Sequence, residues 1–407
     1  MAIDPEQAKR RIAARERQRQ QKAAKEKKRR LFAFIGGGIV LAGGILALML
    51  SLKGCSIGGA QDTTQTEPDL TVLHLAAVGD LNVTPKVVGT ATDYTNTFLD
   101  VAAVLSEANL TAVNFEGGLY GQPYGEDASA PPALPQALKK AGVDLVQLAN
   151  SYTIHRGTAG LADTINGMQA AGLTPLGAWQ SPADAKKAGG YTIVTTEGIK
   201  IAFVSFTKGM DGMALPAGSE GCVNLLYTDY ATAYQEVDTE GINQVLAAVE
   251  KEKPDLTVAM LHWGSEFNDT VSHSQEEIVT LMQQGGVDAI IGTHSHYVQK
   301  MTLDPDTGAF VAYSLGNFLG DADRAGSEYS VVLDLEVTRN NYTGETKVTN
   351  FSYTPIFTVT EKGDPRVMRI DTAITAYENG YIDAVSQSTY EAMKYALERI
   401  EARLKGN

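Results

Sequence analysis

The sequence predicts an α/β fold for the part of the chain that follows residue 70. Apolar runs of strand length recur along it, at 71–78, 110–115, 143–149, 201–206, 255–261 and 287–292. Most of these runs are separated by stretches with a helical pattern, at 97–108, 134–141, 158–171, 237–251 and 274–285. Strands that alternate with helices are typical of sheets covered by helices. We therefore expect an α/β domain with helices packed on its sheets.

The character of the sequence changes after Phe310. Three strand-like segments follow there, AYSLGNF, EYSVVLDLEVT and KVTNFSYTPIF, the last two on either side of a turn at 342–344. Strands joined without helices favour antiparallel pairing, so we expect a second, more antiparallel sheet. Residues 386–404 combine a helical pattern with many Glu, Lys and Arg, which predicts a closing helix on the surface.

The first thirty residues differ in charge from the rest. They carry twelve Lys or Arg against four acids, a net charge of +8, which leaves −22 for the remainder of a 407-residue chain with −14 overall. Residues 31–52 contain no charge and are long enough, at about 1.5 Å per residue, to cross a hydrocarbon core of roughly 30 Å. They predict one transmembrane helix. Because positive flanks stay inside, we expect a single-pass protein of the cell membrane with a cytoplasmic N-terminus and an extracellular main domain.

These features divide the chain into five predicted segments. A cleaved signal peptide has an apolar core of about 7–15 residues behind a short basic region, so thirty polar residues before a longer core favour an uncleaved anchor. A lipoprotein cleavage site before Cys55 is a weaker alternative, against which Lys53 argues. The segments are a basic cytoplasmic arm (1–30), the transmembrane helix (31–52), a flexible stalk (53–69), the main domain (70–360), and a C-terminal strand and helices packing on it (361–407).

The basic arm allows two interpretations. Its Lys and Arg residues can bind nucleic acid or lie on anionic lipid. Beside a membrane span we favour lipid, and we expect no nucleic-acid partner. Cys55 and Cys222 are the only cysteines, and two residues in such different settings do not indicate a disulfide framework or a redox role.

Three of the six histidines follow apolar runs. The run 256–261 stops at His262, and the run 287–291 is followed by His294 and His296. Neutral imidazole is a metal ligand near pH 7, and alternate residues leaving a strand point the same way. The H-x-H pair can therefore face one ion or bridge two. The alternative is that these are polar loop residues capping buried strands, but three together favour metal.

Four further polar clusters lie where predicted strands end, at the edge where open α/β sheets usually bind ligands. Two of them offer a pair of donors spaced by two residues, Asp80 with Asn82 and Asn114 with Glu116. Taken singly, each cluster can equally be a turn. The other two are LANSY at 148–152, with His155 beyond it, and YSLGNF at 313–318.

In chain order these residues read D…N-x-E…N…H…H-x-H…GN, a pattern that resembles the capsule-synthesis CapA family, a branch of the calcineurin-like metallophosphoesterases linked to poly-γ-glutamate capsule. The resemblance covers residues 70–318, and HWGSE, GTHSH and YSLGNF are its most specific segments. It implies a four-layer α/β sandwich, two central sheets flanked by helices, behind the transmembrane helix. It also implies one or two divalent ions of Mn, Fe or Zn at the sheet edge. The matching ligand positions are Asp80, Glu116, His262, His294 and His296, and the positions around the site are Asn82, Asn114, Asn150, Ser151, Glu266 and Asn317.

One departure from the family pattern affects catalysis. The pattern L-A-N-N-H has a metal-binding Asn and a general-acid His where this chain has Ser151 and Tyr152. Ser is a shorter and weaker donor than Asn, and a phenol with an ordinary pKa near 10 is a poorer acid at neutral pH than imidazole. The candidate catalytic residues are Tyr152 and His155, although a lone loop His is more often a bystander. Whether the protein is an enzyme stays open.

We expect a membrane-anchored, extracytoplasmic CapA-like protein that acts in synthesis, export or attachment of an anionic surface polymer such as poly-γ-glutamate. If it is an enzyme, it is a metal-dependent hydrolase of the metallophosphoesterase type. The alternatives are a phosphoesterase of envelope molecules and a non-catalytic scaffold of a polymer-synthesis complex. Expected partners are lipid around 31–52, other membrane proteins of such a complex, and the polymer. Because the outer part is acidic, polymer contact should be local and metal-mediated.

Overall fold

Two β-sheets form the centre of the chain in a computed structural model of the protein. The structure describes residues 69–361, 363–381 and 385–406. The predicted arm and transmembrane helix, and the stalk up to residue 68, lie outside the described residues. Within the described part, no helix is both long and apolar enough to cross a membrane.

The described strands, numbered in chain order, are β1 Leu70–Asn82, β2 Leu110–Glu116, β3 Leu145–Gln147, β4 Thr174–Leu176, β5 Tyr191–Thr196, β6 Ile199–Thr207, β7 Leu256–His262, β8 Ala289–Thr293, β9 Met301–Leu303, β10 Phe310–Ala312, β11 Asn317–Leu319, β12 Tyr329–Asn340, β13 Thr346–Val359 and β14 Arg366–Arg369. Eight of them form the first sheet, in the order β14-β13-β12-β1-β2-β3-β4, with β11 paired to the end of β1. The other six form the second sheet, in the order β5-β6-β7-β8-β10-β9. Neighbours from β1 to β4 and from β6 to β8 run parallel.

The described helices are α1 Pro85–Val88, α2 Thr95–Phe98, α3 Ala102–Glu107, α4 Ala133–Lys140, α5 Gly157–Ala170, α6 Pro182–Ala188, α7 Thr239–Glu252, α8 His273–Gln284, α9 Ile370–Glu378 and α10 Gln387–Lys405, with one 3₁₀ turn at Glu126–Ala128. Several begin at a side-chain cap, which satisfies free N–H groups of the first turn. The best formed is at α8, where Ser272 and Gln275 make a reciprocal capping box.

Three apolar cores divide the fold into four layers. The middle core lies between the sheets, where alternate residues such as Leu75 of β1 and Val258 of β7 meet. The opposite face of the first sheet packs on α1 to α5, and the opposite face of the second sheet packs on α7 and α8. Because both faces of the parallel strands are covered, these strands read as continuous apolar runs rather than as alternating ones. The α/β prediction and the arrangement of two sheets between helices are confirmed.

The antiparallel strands correct one expectation. They do not form a separate sheet: β12 pairs with β1 along eight residues, from Leu70↔Asn340 to Ala77↔Leu333, and so extends the first sheet. The reason is that β2 occupies only one edge of β1, which leaves the opposite edge available to β12. The C-terminal helix α10 is also less superficial than expected, since Met393, Ala396 and Ile400 are buried in the middle core.

The end of β1 lies unusually close to another backbone segment. A Cβ atom at Gly79 would lie 1.8 Å from the carbonyl oxygen of Gly316, and Gly316 itself has φ +81. A side chain at Gly79 would prevent the approach, and the backbone conformation of Gly316 is one that favours glycine. The result is a hydrogen bond from the Asp80 N–H to the Gly316 carbonyl at 2.9 Å, and a register in which Asp80 pairs with Asn317. Two of the predicted site residues are thereby brought side by side.

Candidate metal centre

Five acidic and imidazole side chains meet at the carboxyl ends of the parallel strands. Asp80 and Glu116 come from the ends of β1 and β2 in the first sheet, whereas the histidines come from the end of β7 and the loop after β8 in the second. All five are buried, with exposures between 0% and 8%. We call this set the cluster: Asp80, Glu116, His262, His294 and His296. These are the residues that the sequence analysis expected to bind metal.

The cluster contains two overlapping groups of ligand atoms. Glu116, His262 and His294 offer atoms within 4.8 Å of one another, and so do Asp80, Glu116 and His296. Glu116 belongs to both groups. A carboxylate shared in this way is suited to bridge two ions, one in each group. The cluster therefore supports the prediction of a divalent metal. It does not identify which metal.

Asn114 links Asp80 and Glu116, the two cluster residues that come from the first sheet. Its Nδ2 lies 2.7 Å from Asp80 Oδ1, 3.0 Å from Glu116 Oε1 and 3.3 Å from His262 Nδ1. Its own Oδ1 accepts a hydrogen bond of 3.0 Å from Asn150 Nδ2, which also donates to the Phe115 carbonyl at 2.7 Å. Asn114 and Asn150 therefore orient the ligands from behind.

A second hydrogen-bonded chain orients His296. Asn317 Oδ1 accepts from Asn82 Nδ2 at 3.0 Å and from His296 Nδ1 at 2.8 Å. A bond to one ring nitrogen fixes the tautomer and direction of an imidazole, which is the usual supporting arrangement for a ligating His. Asn82 and Asn317, both expected near the site, thus lie beside it.

Burial and the neighbouring charge of Asp80 both disfavour ionisation of the Glu116 carboxylate. Burial raises the pKa of Glu116 well above its usual value, and the charge of Asp80 raises it further. Burial alone would lower the pKa of His296, but the hydrogen bond to Asp80 and the charge of Glu116 outweigh it and raise this pKa to about 10. The cluster therefore stabilises positive charge at its centre.

The other two histidines have the opposite tendency. Burial lowers the pKa of His262 and of His294 well below the usual value, and neighbouring positive groups lower both further. Both imidazoles are therefore neutral at pH 7, which is the form that binds metal. Two carboxylates with three imidazoles suit Mn, Fe or Zn better than Ca or Mg, which prefer oxygen ligands alone. The donor set fits the predicted ion.

His294 and His296 have left-handed backbone conformations. Their φ angles are +90 and +59, values that residues other than glycine rarely adopt and that cost of order 1–3 kcal/mol each. The conformation turns the chain at the end of β8, so that the His294 N–H donates to both oxygens of Asp80, at 3.2 and 3.1 Å. The loop that carries the H-x-H pair is held by the other sheet.

The residues that depart from the family pattern also lie at this end of the sheets. Ser151 Oγ is 3.1 Å from His262 Nε2, so the hydroxyl touches the cluster. Tyr152 lines the adjoining cavity, and burial raises its pKa to about 12. His155 packs against the Tyr152 ring, with 5.7 Å between ring centroids, and does not line the cavity. Of the two candidate acids, only Tyr152 therefore faces the site.

A cavity of about 300 Å³ opens beside the cluster. Glu116 and His296 of the cluster line it, and so does the exposed Glu266, which was expected near the site. The remaining wall comes largely from the loop at 321–327. A small anionic or polar group fits a space of this size next to the ligands.

Sequence reasoning missed several residues of the site. Thr293 Oγ1 lies 3.2 Å from His262 Nδ1, and Lys208 Nζ donates to the Gly264 carbonyl at 2.8 Å. Phe267 packs its ring on His296, with 5.0 Å between centroids, and Arg324 lies over Phe267. Thr293 was detectable because it ends β8 directly before His294. Lys208 was detectable in the same way, because it directly follows β6. Arg324 lies in a loop whose sequence carries no periodic signal.

The fold and the cluster define a two-sheet α/β protein with a buried carboxylate and histidine site able to hold metal. The model of the bacterial capsule synthesis protein family PGA_cap matches residues 74–322, more than half of the chain. The chain belongs to this family, and the predicted resemblance to CapA proteins is confirmed.

Two curated relatives show how far the similarity extends. The capsule biosynthesis protein CapA of Bacillus anthracis is 28% identical over 195 residues, 47% of this chain and 44% of that protein. The PGA biosynthesis protein CapA of Bacillus subtilis is 27% identical over 215 residues, 53% of this chain and 52% of that protein. The chain thus spans about half the length of the curated relatives it matches.

Among solved structures, the calcineurin-like phosphoesterase YfkN of Bacillus subtilis aligns with 80% of this chain and 99% of that chain. The TM-score is 0.44 and the sequence identity 15%. The fold assigned above follows from the sheets of this chain itself.

Proposed function

We propose that this protein is a metal-binding accessory protein in the synthesis, export or attachment of an anionic surface polymer, of which poly-γ-glutamate is the leading candidate. Membership of the capsule synthesis family supports the process, and the relatives' names refer to capsule and PGA biosynthesis. The observation that carries the metal is the cluster, in which Glu116 belongs to both groups of ligand atoms.

Each residue of the site has a distinct task under this proposal. Asp80, Glu116 and the three histidines hold one or two divalent ions, whose chemistry when bound is to attract and polarise anionic oxygen. Asn114 and Asn317 orient the ligands through the hydrogen bonds described above. Tyr152 lines the cavity as a neutral phenol, able to donate a hydrogen bond to a bound oxygen.

We also propose that the protein is anchored in the cell membrane by residues 31–52, with lipid around that segment and the acidic remainder outside. The support is the +8 charge of the preceding arm and the absence of charge in the span. Protease added to intact cells should then remove the folded domain and spare the arm. Protection of the whole chain would contradict this topology.

The process itself is tested in cells that make the polymer. Changing His294 and His296 together to Ala should reduce surface polymer strongly while the amount of protein stays the same, because two imidazole ligands are lost. The matched control is the same double change at His74 and His273, which lie outside the cluster. Full polymer production by cells with the cluster variant would contradict the proposal.

A non-catalytic scaffold is the second candidate, and the LANSY segment at 148–152 favours it over a phosphoesterase of envelope molecules. The position of the family's general acid holds Tyr152, whose pKa burial raises to about 12, and His155 does not line the cavity. A scaffold retains the metal and the partner membrane proteins but needs no proton donor. Turnover of a phosphodiester substrate distinguishes an enzyme from such a scaffold.

A further inference from the structure

Acidic side chains dominate the cavity beside the cluster. Glu116, Glu266, Asp321 and Asp323 all line it. Among the described residues that line it, Arg324 is the only one with a permanent positive charge. An anionic ligand entering here is repelled by most of the wall. It therefore needs the positive charge of an ion held by the cluster and that of Arg324.

The guanidinium of Arg324 is fixed but not neutralised. Its Cζ lies 4.0 Å from the centroid of the Phe267 ring, a stacking contact that occupies the face of the guanidinium and leaves its N–H edge available. Among the described residues, no carboxylate lies within ion-pairing distance of Arg324. Two nearby lysines are already engaged, since Lys86 pairs with Asp323 and Lys208 donates to the Gly264 carbonyl.

Phe267 ties this arginine to the cluster. Its backbone N–H donates to the Ser295 carbonyl at 2.8 Å, within the H-x-H segment. Its ring contacts the His296 ring at 5.0 Å between centroids and the Tyr297 ring at 5.9 Å. One aromatic ring therefore separates the guanidinium from a predicted metal ligand, and the distance between the two positive sites is set by packing.

We propose that Arg324 binds an anionic group that the ligand carries next to the group held at the cluster, so that the site selects ligands with two neighbouring negative charges. This inference rests on the proposed function. Poly-γ-glutamate has the required chemistry, because each γ-linked residue keeps a free α-carboxylate beside its amide. A carboxylate accepts two parallel hydrogen bonds from a guanidinium edge. A chain of phosphates offers the same charge pattern from another source.

The test compares binding of a ten-residue γ-linked glutamate oligomer and of an inorganic polyphosphate to the full-length protein loaded with Mn²⁺. Arg324→Gln should weaken binding of the oligomer roughly tenfold, which corresponds to about 1.4 kcal/mol, because it removes a charge and the paired hydrogen bonds of the guanidinium edge. Arg324→Lys should give an intermediate loss, because it keeps the charge but not the fork. Bound manganese should be the same in all variants.

Lys86→Gln is the matched control, because it removes a cation of the same region that is already paired, and it should bind the oligomer like the unmodified protein. Equal affinity of the unmodified protein and Arg324→Gln would overturn the role of Arg324 and leave the proposed function standing. A loss confined to polyphosphate would overturn the carboxylate assignment. An unmodified protein that holds manganese but does not bind the oligomer would overturn the proposed function, and this assignment with it.

Discussion

Asp80 accepts hydrogen bonds from the backbone N–H of His294 with both carboxylate oxygens, at 3.2 and 3.1 Å. Asp80 ends β1 of the first sheet, and His294 follows β8 of the second. The contact therefore joins the two sheets at the point where the cluster forms. Because the ligands come from both sheets, the site depends on packing of the whole sandwich rather than on one local motif.

Loss of two imidazoles should remove most of the bound metal. We expect the full-length His294→Ala/His296→Ala protein to retain less than about a tenth of the manganese or zinc that the unmodified protein binds, since each group of ligand atoms loses one of its three members. The measurement is metal content by elemental analysis after dialysis.

The matched control changes His74 and His273 to Ala. Both are outside the cluster, and His273 is exposed, so this variant should bind the normal amount of metal. Normal metal content in the His294→Ala/His296→Ala protein would show that the ions, if any, bind elsewhere.

The parallel part of the fold was predictable because burial on both faces makes its strands apolar throughout. β2, β7 and β8 illustrate this, since every residue of each is buried. The order of strands was not predictable, because β12 pairs with β1 across more than 250 residues of sequence and periodicity carries no information on such pairing. The short strand β4 and the half-buried strand β5 were also missed.

Within the site, too, residues that end apolar runs were predictable, whereas residues that matter through long-range contacts were not. The residues of the cluster were predicted because they stand at the ends of apolar runs. Arg324 was not found, because its loop has no pattern and its importance comes from contact with Phe267, which is 57 positions away in the numbering of the chain. Such contacts depend on tertiary packing alone.

Backbone strain at His294 should be measurable as a difference between two substitutions. Its φ is +90, which glycine adopts without cost and alanine does not. We expect His294→Gly to be about 1 kcal/mol more stable to urea than His294→Ala, although both lose the imidazole. Fluorescence of the fully buried Trp263 reports the unfolding.

Ser295 provides the comparison for this effect. Its φ is not in the left-handed region, so Gly there should be less stable than Ala by about 0.5–1 kcal/mol. The same order of stability at both positions would mean that His294 is not strained.

Arg403 should contribute more to stability than its neighbour Arg399 on the same helix. Arg403 is 7% exposed, lies 3.2 Å from Asp269 and packs over the Tyr297 ring at 4.6 Å. Arg399 is 39% exposed and lies 3.7 Å from the same carboxylate. We expect Arg403→Ala to cost about 2 kcal/mol of unfolding free energy, mainly in lost packing, and Arg399→Ala at most about 0.5 kcal/mol.

Urea denaturation of the two variants measures this difference. A similar small loss for both would show that α10 is held by its apolar face alone and that Arg403 does not fasten the Asp269 loop.

The last prediction concerns Ser151 and Tyr152, which stand where the family pattern has Asn and His. Positioned proton transfer typically contributes about 10²–10⁴-fold to a rate, and Tyr152, with its pKa raised to about 12 by burial, is a poor acid. We therefore expect the protein to hydrolyse simple phosphodiesters poorly or not at all. The double change Ser151→Asn/Tyr152→His should raise that activity with manganese present, because position 151 touches His262 and position 152 lines the cavity.

The gain must depend on the cluster. Adding His294→Ala and His296→Ala to the double variant should abolish it, whereas adding His155→Ala should leave it intact, since His155 does not line the cavity. Hydrolysis of a chromogenic phosphodiester measures each step. The opposite result would be robust turnover by the unmodified protein that falls when Asn and His are introduced. It would show that Ser151 and Tyr152 belong to a different kind of active site, in which the hydroxyl and the phenol replace the Asn and His of the family pattern.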